Sequence, residues 1–289
     1  MNVWAIIVSG VTYGALFSIV SMSITFVYRA TKLFNFATGA FVVLAGYLLY
    51  ALVSLDINYW ISMGLAILAT TMVSGLYYWL GPWQMIRAPH WTVIVSTLGF
   101  AILLEGAMGA IWLGRTYSVP RPYEIELLSV GFGASVASID LYTLMTMLVI
   151  AVALLALLGS KTYGARFSAS SFNVTVAGAR GVSPFRYYLF AWLIGGGLAG
   201  VAGVIFASTQ AAGLSAATVG FAAFPAAVMG GLDSVLGSAV AGSLLGIVYL
   251  ISSLYLSSQA FNAIAFGATV LLLLVRPHGL FGSREVARV

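Results

Sequence analysis

Apolar residues in this chain come in long, nearly unbroken blocks, not in stripes or strict alternation. The blocks fall at 3–27, 36–54, 60–80, 92–113, 141–158, 188–207, 236–256 and 260–275, and Glu105 is the charged residue inside them. About twenty apolar residues cross a bilayer as an α-helix, so each block predicts a transmembrane helix. A shorter block at 219–232 holds Gly220, Pro225, Gly230 and Gly231 and predicts a broken or re-entrant helix. The polar intervals are too short to fold by themselves. The expectation is an all-α integral membrane protein, a bundle of about eight or nine transmembrane helices including a short broken segment, forming one domain over 1–289.

Composition supports that reading and removes others. Hydrophobic residues make up 62% of the chain and charged residues 7%, against about 25% charged in globular proteins. A soluble fold would leave far too much apolar surface exposed, so lipid is the expected surrounding. The net charge of +5 is scattered over short loops, which argues against nucleic acid as a partner. With no cysteine, disulfides, thiolate metal sites and cysteine nucleophiles are excluded.

Charge also orients the chain. The interval Gly159–Tyr188 carries Lys161, Arg166, Arg180 and Arg186 and no acid. Lys and Arg bias loops to the cytoplasm. Alternation then places 28–35 and 81–91 inside, with Arg29, Lys32 and Arg87. If 219–232 counts as a crossing, Arg276, Arg284 and Arg288 are inside too, leaving Arg115 and Arg121 outside beside Asp56, Glu124, Glu126 and Asp140. Nine crossings therefore fit better than eight, with the N-terminus outside, the C-terminus cytoplasmic and the chain multi-pass in the cell (inner) membrane. No Lys or Arg precedes Arg29, so the first block lacks the basic region of a cleaved signal and is expected to remain as a helix. The outer loop at 114–140 reads equally as a connector or as a surface for an external partner.

No catalytic constellation emerges. Gly159-Ser160-Lys161-Thr162 looks like a phosphate-binding loop, but that motif needs Gly directly before the Lys and another Gly five residues earlier. His90 and His278 each adjoin a proline and read as interfacial residues, not ligands. No metal site and no enzymatic chemistry are expected. Glu105 stands at membrane depth, where a carboxylate is costly unless paired, protonated or facing water. It reads as a pathway residue or as a hydrogen-bonded structural one. Asn35 is a candidate N-cap for the second span, with Thr38 and Gly39 following. Pro225, Gly230 and Gly231 suit either a solute site or a tight helical hairpin. Gly196/Gly200 and Gly242/Gly246 have the spacing that lets helix backbones approach, more often within a subunit than between subunits.

Several of these pieces together resemble one family. Asn35-Phe36-Ala37-Thr38-Gly39-Ala40-Phe41 is similar to the N-F-A-x-G-x-F signature of permease subunits of branched-chain amino acid ABC importers, the LivH-like group. Ser96-Thr97-Leu98-Gly99, followed by Leu104-Glu105-Gly106, resembles its T-L-G segment. Phe221–Gly237 resembles its A-x-x-G-G-L-G-S stretch, with Asp233 where Gly is usual, and Arg276–Gly282 resembles its R-P-x-G-L-F-G tail. The pieces occur in family order over nearly the whole chain.

The resemblance implies an ABC importer permease fold and a machine around it. A second permease subunit (LivM-like), two cytoplasmic ABC ATPase subunits and an extracytoplasmic solute-binding protein are the implied partners. ATP and Mg are implied to bind the ATPases, and no cofactor this chain. Thr97 and Glu105 join Asn35, Thr38, Gly39, Pro225, Gly230 and Gly231 as implied pathway residues. The 159–187 interval is implied to hold a coupling helix, where the family pattern is Glu-Ala-Ala, three residues, then Gly. Counting back from Gly181 gives Thr175-Val176-Ala177, so the acid is missing, and Gly178, Val182 and Pro184 complete the implied ATPase contact. A branched-chain amino acid, or a similar small polar metabolite such as an amide, urea or small organic acid, is the implied cargo. A stand-alone ion-coupled transporter or channel is the rival; it would more often show several intramembrane acids or an internal duplication.

Overall fold

A computed structural model describes residues 3–86, 88–129, 131, 135–160, 183–257 and 260–282. Among the described residues there are nine α-helices: α1 (Val3–Thr31), α2 (Thr38–Ser54), α3 (Tyr59–Leu80), α4 (His90–Ile111), α5 (Ser138–Gly159), α6 (Pro184–Thr209), α7 (Ala217–Gly230), α8 (Val235–Tyr255) and α9 (Ala260–Val275). Two three-residue strands, β1 (Leu127–Ser129) and β2 (Ser135–Ala137), pair antiparallel before α5. Six helices (α1, α3, α4, α5, α6 and α8) are long and apolar enough to span a bilayer, and α2, α9 and the Leu214–Gly230 stretch are shorter apolar helices. The all-α membrane bundle expected from the apolar blocks is what is found.

One block behaves differently from expectation. Residues 219–232 are not broken at Pro225, which lies inside a continuous α7. A proline removes one backbone donor, a loss that neighbouring helices can absorb within a bundle. The interruptions lie at the ends: a 3-10 turn, Leu214–Ala216, leads in, and Gly231 at φ +101° leads out. Fourteen residues give α7 a length of roughly 21 Å, short of a hydrocarbon core of about 30 Å.

The contacts divide the chain into two compact units, the first of residues 1–25, 125–155 and 222–289, the second of residues 26–124 and 156–221. In the first unit, α8 lies on α1 along a seam of glycines. A Cβ on Gly10 would stand 2.6 Å from Ile247 Cα, and one on Gly14 2.7 Å from the Ser243 carbonyl oxygen. A Cβ on Gly242 would stand 2.5 Å from Ser18 Cα, and one on Gly246 would meet the backbone of Gly10 and Gly14. Buried hydroxyls fasten the same seam: Ser18 donates to the Ala239 carbonyl at 2.6 Å and Ser21 to the Ser238 carbonyl at 2.9 Å. Tyr13 stacks on Tyr249 at 4.8 Å between ring centres, and Phe17 stacks on Phe261 of α9 at 5.6 Å.

In the second unit, α2 is the buried centre, covered on every residue from Thr38 to Tyr47. Helix α6 supplies small residues against α2 and α3. A Cβ on Gly196 would strike the Ser74 side chain, one on Gly200 would come 3.2 Å from Ile67 Cα, and one on Gly203 would meet the Val42 carbonyl. Both glycine pairs singled out in the sequence thus serve packing inside this chain.

Candidate functional site

Four of the residues proposed from sequence come together in the second unit. The chain leaves α1 through Lys32 (φ +56°) and forms a short turn before α2. Asn35 accepts the Ala37 N–H on its side-chain oxygen at 3.1 Å, and the Thr38 hydroxyl donates back to the Asn35 carbonyl at 3.0 Å. The Phe36 N–H donates to the Thr97 hydroxyl at 3.3 Å, and Thr97 donates to the Ile94 carbonyl at 2.8 Å. The side chains of Asn35, Thr38 and Thr97 are at most 1% exposed. Buried polar groups of this kind must find partners, and here the turn and α4 satisfy one another.

Asn35 is not the N-cap that the sequence suggested. That position belongs to Ala37, which makes no side-chain cap bond. The Asn35 side chain bonds two residues ahead and closes a turn before the helix starts, an alternative use of the same short amide.

Gly39 has a separate reason to be glycine. A Cβ there would stand 2.8 Å from the Ala217 carbonyl oxygen, and one on Gly220 would meet the Gly39 backbone. The first turn of α2 and the first turn of α7 therefore cross with their backbones touching.

Glu105 is half-buried on α4. Val93, Thr97 and Ala101 are buried on the same helix at four-residue steps, and Glu105 continues that stripe. It lies two helical turns, roughly 12 Å, beyond Thr97 on one face. No hydrogen bond or ion pair engages it among the described residues. A positive charge at membrane depth costs about 2.5–3.5 kcal/mol on insertion scales. Glu105→Gln is accordingly expected to keep uptake within about threefold, and Glu105→Lys to lower it by about tenfold or more. Full uptake by both variants would remove Glu105 from the pathway.

Pro225, Gly230 and Gly231 belong to the first unit. Pro225 is interior to α7 and Gly230 is its last residue. A Cβ on Gly230 would meet the backbone of Gly237, and one on Gly231 would stand 2.6 Å from the Gly282 nitrogen. The Leu280 N–H donates to the Met229 carbonyl at 2.8 Å and the Phe281 N–H to the Gly230 carbonyl at 3.1 Å. The G-G-L and R-P-x-G-L-F-G pieces are thus two halves of one closure, in which the C-terminal turn seals the end of α7. The coupling residues Thr175, Val176, Ala177, Gly178, Gly181 and Val182 lie outside the described residues. Pro184 is the first residue of α6, where its missing N–H costs nothing.

Sequence reasoning missed a polar knot in the 112–124 stretch. Arg121 donates to the Ser208 carbonyl in the last turn of α6 at 2.8 Å, a favourable place for a cation because helix C-termini carry partial negative charge. The Tyr59 hydroxyl stands 2.6 Å from Ser208 Oγ and 3.2 Å from the Tyr123 hydroxyl. Burial, reinforced by the Tyr59 contact, pushes the Tyr123 phenol above its ordinary range, so it stays neutral. Tyr47 donates to the Arg115 carbonyl at 3.0 Å, Tyr50 stacks on Tyr117, and Tyr117 bridges to Ala212 through backbone bonds. The signal was present in the sequence: Arg115 and Arg121 are the two basic residues that the charge bias left on the expected outer side.

The arrangement can now be set beside known proteins. The family described as "Branched-chain amino acid transport system / permease component" matches residues 6–274. The chain belongs to this family. It is similar to the high-affinity branched-chain amino acid transport system permease protein LivH of Escherichia coli strain K12, 26% identical over 297 residues and covering 97% of this chain and 96% of that protein. BraD of Pseudomonas aeruginosa, a permease protein of the same description, is 25% identical over 303 residues, covering 98% and 97%. The autoinducer 2 import system permease protein LsrC of Shigella flexneri is 32% identical over 217 residues, covering 74% of this chain and 59% of that protein. As a member of the branched-chain-type permease family, the chain is a multi-pass membrane transport subunit.

Proposed function

We propose that this permease subunit forms part of the translocation path of an ABC importer for a branched-chain amino acid or a similarly small polar metabolite. The observation that carries this reading is the buried polar turn of Asn35, Thr38 and Thr97, backed by the bare crossing of Gly39 and Gly220. A turn closed by hydroxyls and a side-chain amide, at the start of the buried α2, is a place where small shifts could open or shut a path. Relatives named for branched-chain amino acids and for autoinducer 2 support a small polar cargo. ATP hydrolysis belongs to two cytoplasmic partner ATPases holding ATP and Mg; a LivM-like permease pairs with this chain, and an extracytoplasmic binding protein brings the solute. With the N-terminus outside and the C-terminus cytoplasmic, the basic 159–187 interval faces the ATPases in the inner membrane.

Purification under mild detergent is expected to retain an ABC ATPase and a second permease, and proteoliposomes of that assembly to take up solute only with ATP. An assembly without an ATPase, or uptake driven by an ion gradient alone, favours the stand-alone transporter. Orientation is open to a clean labelling experiment because the chain has no cysteine. A cysteine in place of Asn2 should react with an impermeant maleimide on intact cells, and one in place of Val289 only after lysis. The opposite pattern inverts the topology.

A further inference from the structure

The C-terminal turn also holds a hollow. Residues Val275–Leu280 and Gly282 line a cavity of about 500 Å³, with Arg276 and His278 on its wall and no acid among the lining residues. Both side chains are exposed, and no side-chain hydrogen bond or ion pair engages either among the described residues. The turn is joined to the end of α7: Gly279 (φ +77°) packs on Gly231, and the Leu280 and Phe281 N–H groups donate to the Met229 and Gly230 carbonyls. Immediately before it, Leu271, Leu274 and Val275 of α9 are 66%, 78% and 79% exposed, and Phe281 beyond it is 51% exposed. A hollow walled by the Arg276 guanidinium and the His278 imidazole thus adjoins an exposed apolar helix end in a membrane protein. That combination matches an amphiphile with a negative head and acyl chains. Water alone would leave the apolar wall unsatisfied, and a free anion would not use it.

We infer that this turn binds the phosphate headgroup of an anionic phospholipid, with Arg276 and His278 on the headgroup and the end of α9 along the chains. The inference does not depend on which solute is carried. The full chain in nanodiscs of phosphatidylglycerol mixed with phosphatidylcholine should retain phosphatidylglycerol selectively by native mass spectrometry, and high salt should weaken that selectivity. Arg276→Gln is expected to weaken retention about fivefold, and the double variant with His278→Gln further, whereas Arg276→Lys keeps most of it. Should the double variant fail to fold, the salt dependence and the lysine variant still decide. Retention equal to wild type in the double variant, or no preference for phosphatidylglycerol in the wild type, overturns the site. Inorganic phosphate displacing the lipid at comparable concentration would mean a free-anion site instead, and loss of a partner protein with unchanged lipid retention would mean a protein contact.

Discussion

Gly246→Leu is expected to prevent this permease from accumulating in the membrane in folded form. A Cβ at position 246 would meet the backbone of Gly10 and Gly14, and its neighbours along the seam, Gly242 against Ser18 and Gly14 against Ser243, are just as close. Backbone cannot rotate aside as a flexible side chain does, so α1 and α8 must separate. Overpacking costs typically about 1–3 kcal/mol and occasionally more, and separation would also break the Ser18–Ala239 and Ser21–Ser238 hydrogen bonds. In a membrane those hydroxyls and the close van der Waals contacts are the main source of helix association, since apolar side chains gain little by leaving lipid. The check is the thermal midpoint and the yield of folded protein in detergent. A Gly246→Leu protein with wild-type midpoint would show that α8 does not lie on α1 at this distance.

Gly181→Trp is expected to abolish ATP-driven uptake while leaving membrane insertion and yield intact. The expectation comes from the resemblance to the Glu-Ala-Ala pattern, here Thr175-Val176-Ala177, that ends in Gly181. Without the acid, docking on an ATPase has no ion pair at this place and must rest on shape and backbone fit. An indole at the glycine position removes that fit at little cost to the transmembrane helices. Uptake and co-purification of the ATPase should fall together. Wild-type uptake by Gly181→Trp would remove this loop from the coupling surface.

How much of this was legible in the sequence depends on the range of the force concerned. Spans were legible because bilayer thickness fixes a block length, and α1, α3, α6 and α8 fall where the apolar runs do. The continuity of α7 was not, since whether Pro225 breaks a helix is decided by neighbours that only the fold supplies. Asn35, Thr38, Gly39 and Thr97 were legible as polar or small residues in odd places, and the fold brings them together. What could not be read was the use of each. Asn35 serves the turn and not the cap; Gly231 packs on Gly282 and the Gly230 carbonyl accepts from Phe281, partners some fifty residues away in sequence, while the Cα of Gly230 lies against Gly237. Arg121 was read only as a charge to be counted, because its acceptor is a helix-end carbonyl, which no residue type announces.

The Arg121–Ser208 bond has a structural consequence. Helix α6 is 26 residues long, a stiff rod of about 39 Å. One end is gripped by Arg121 and the tyrosines around it, and the other begins at Pro184, directly after the basic loop. Arg121 and Pro184 therefore mark the two ends of one continuous helix, so the 112–124 stretch and the residue that follows the basic interval are joined by a single unbroken run of α-helix.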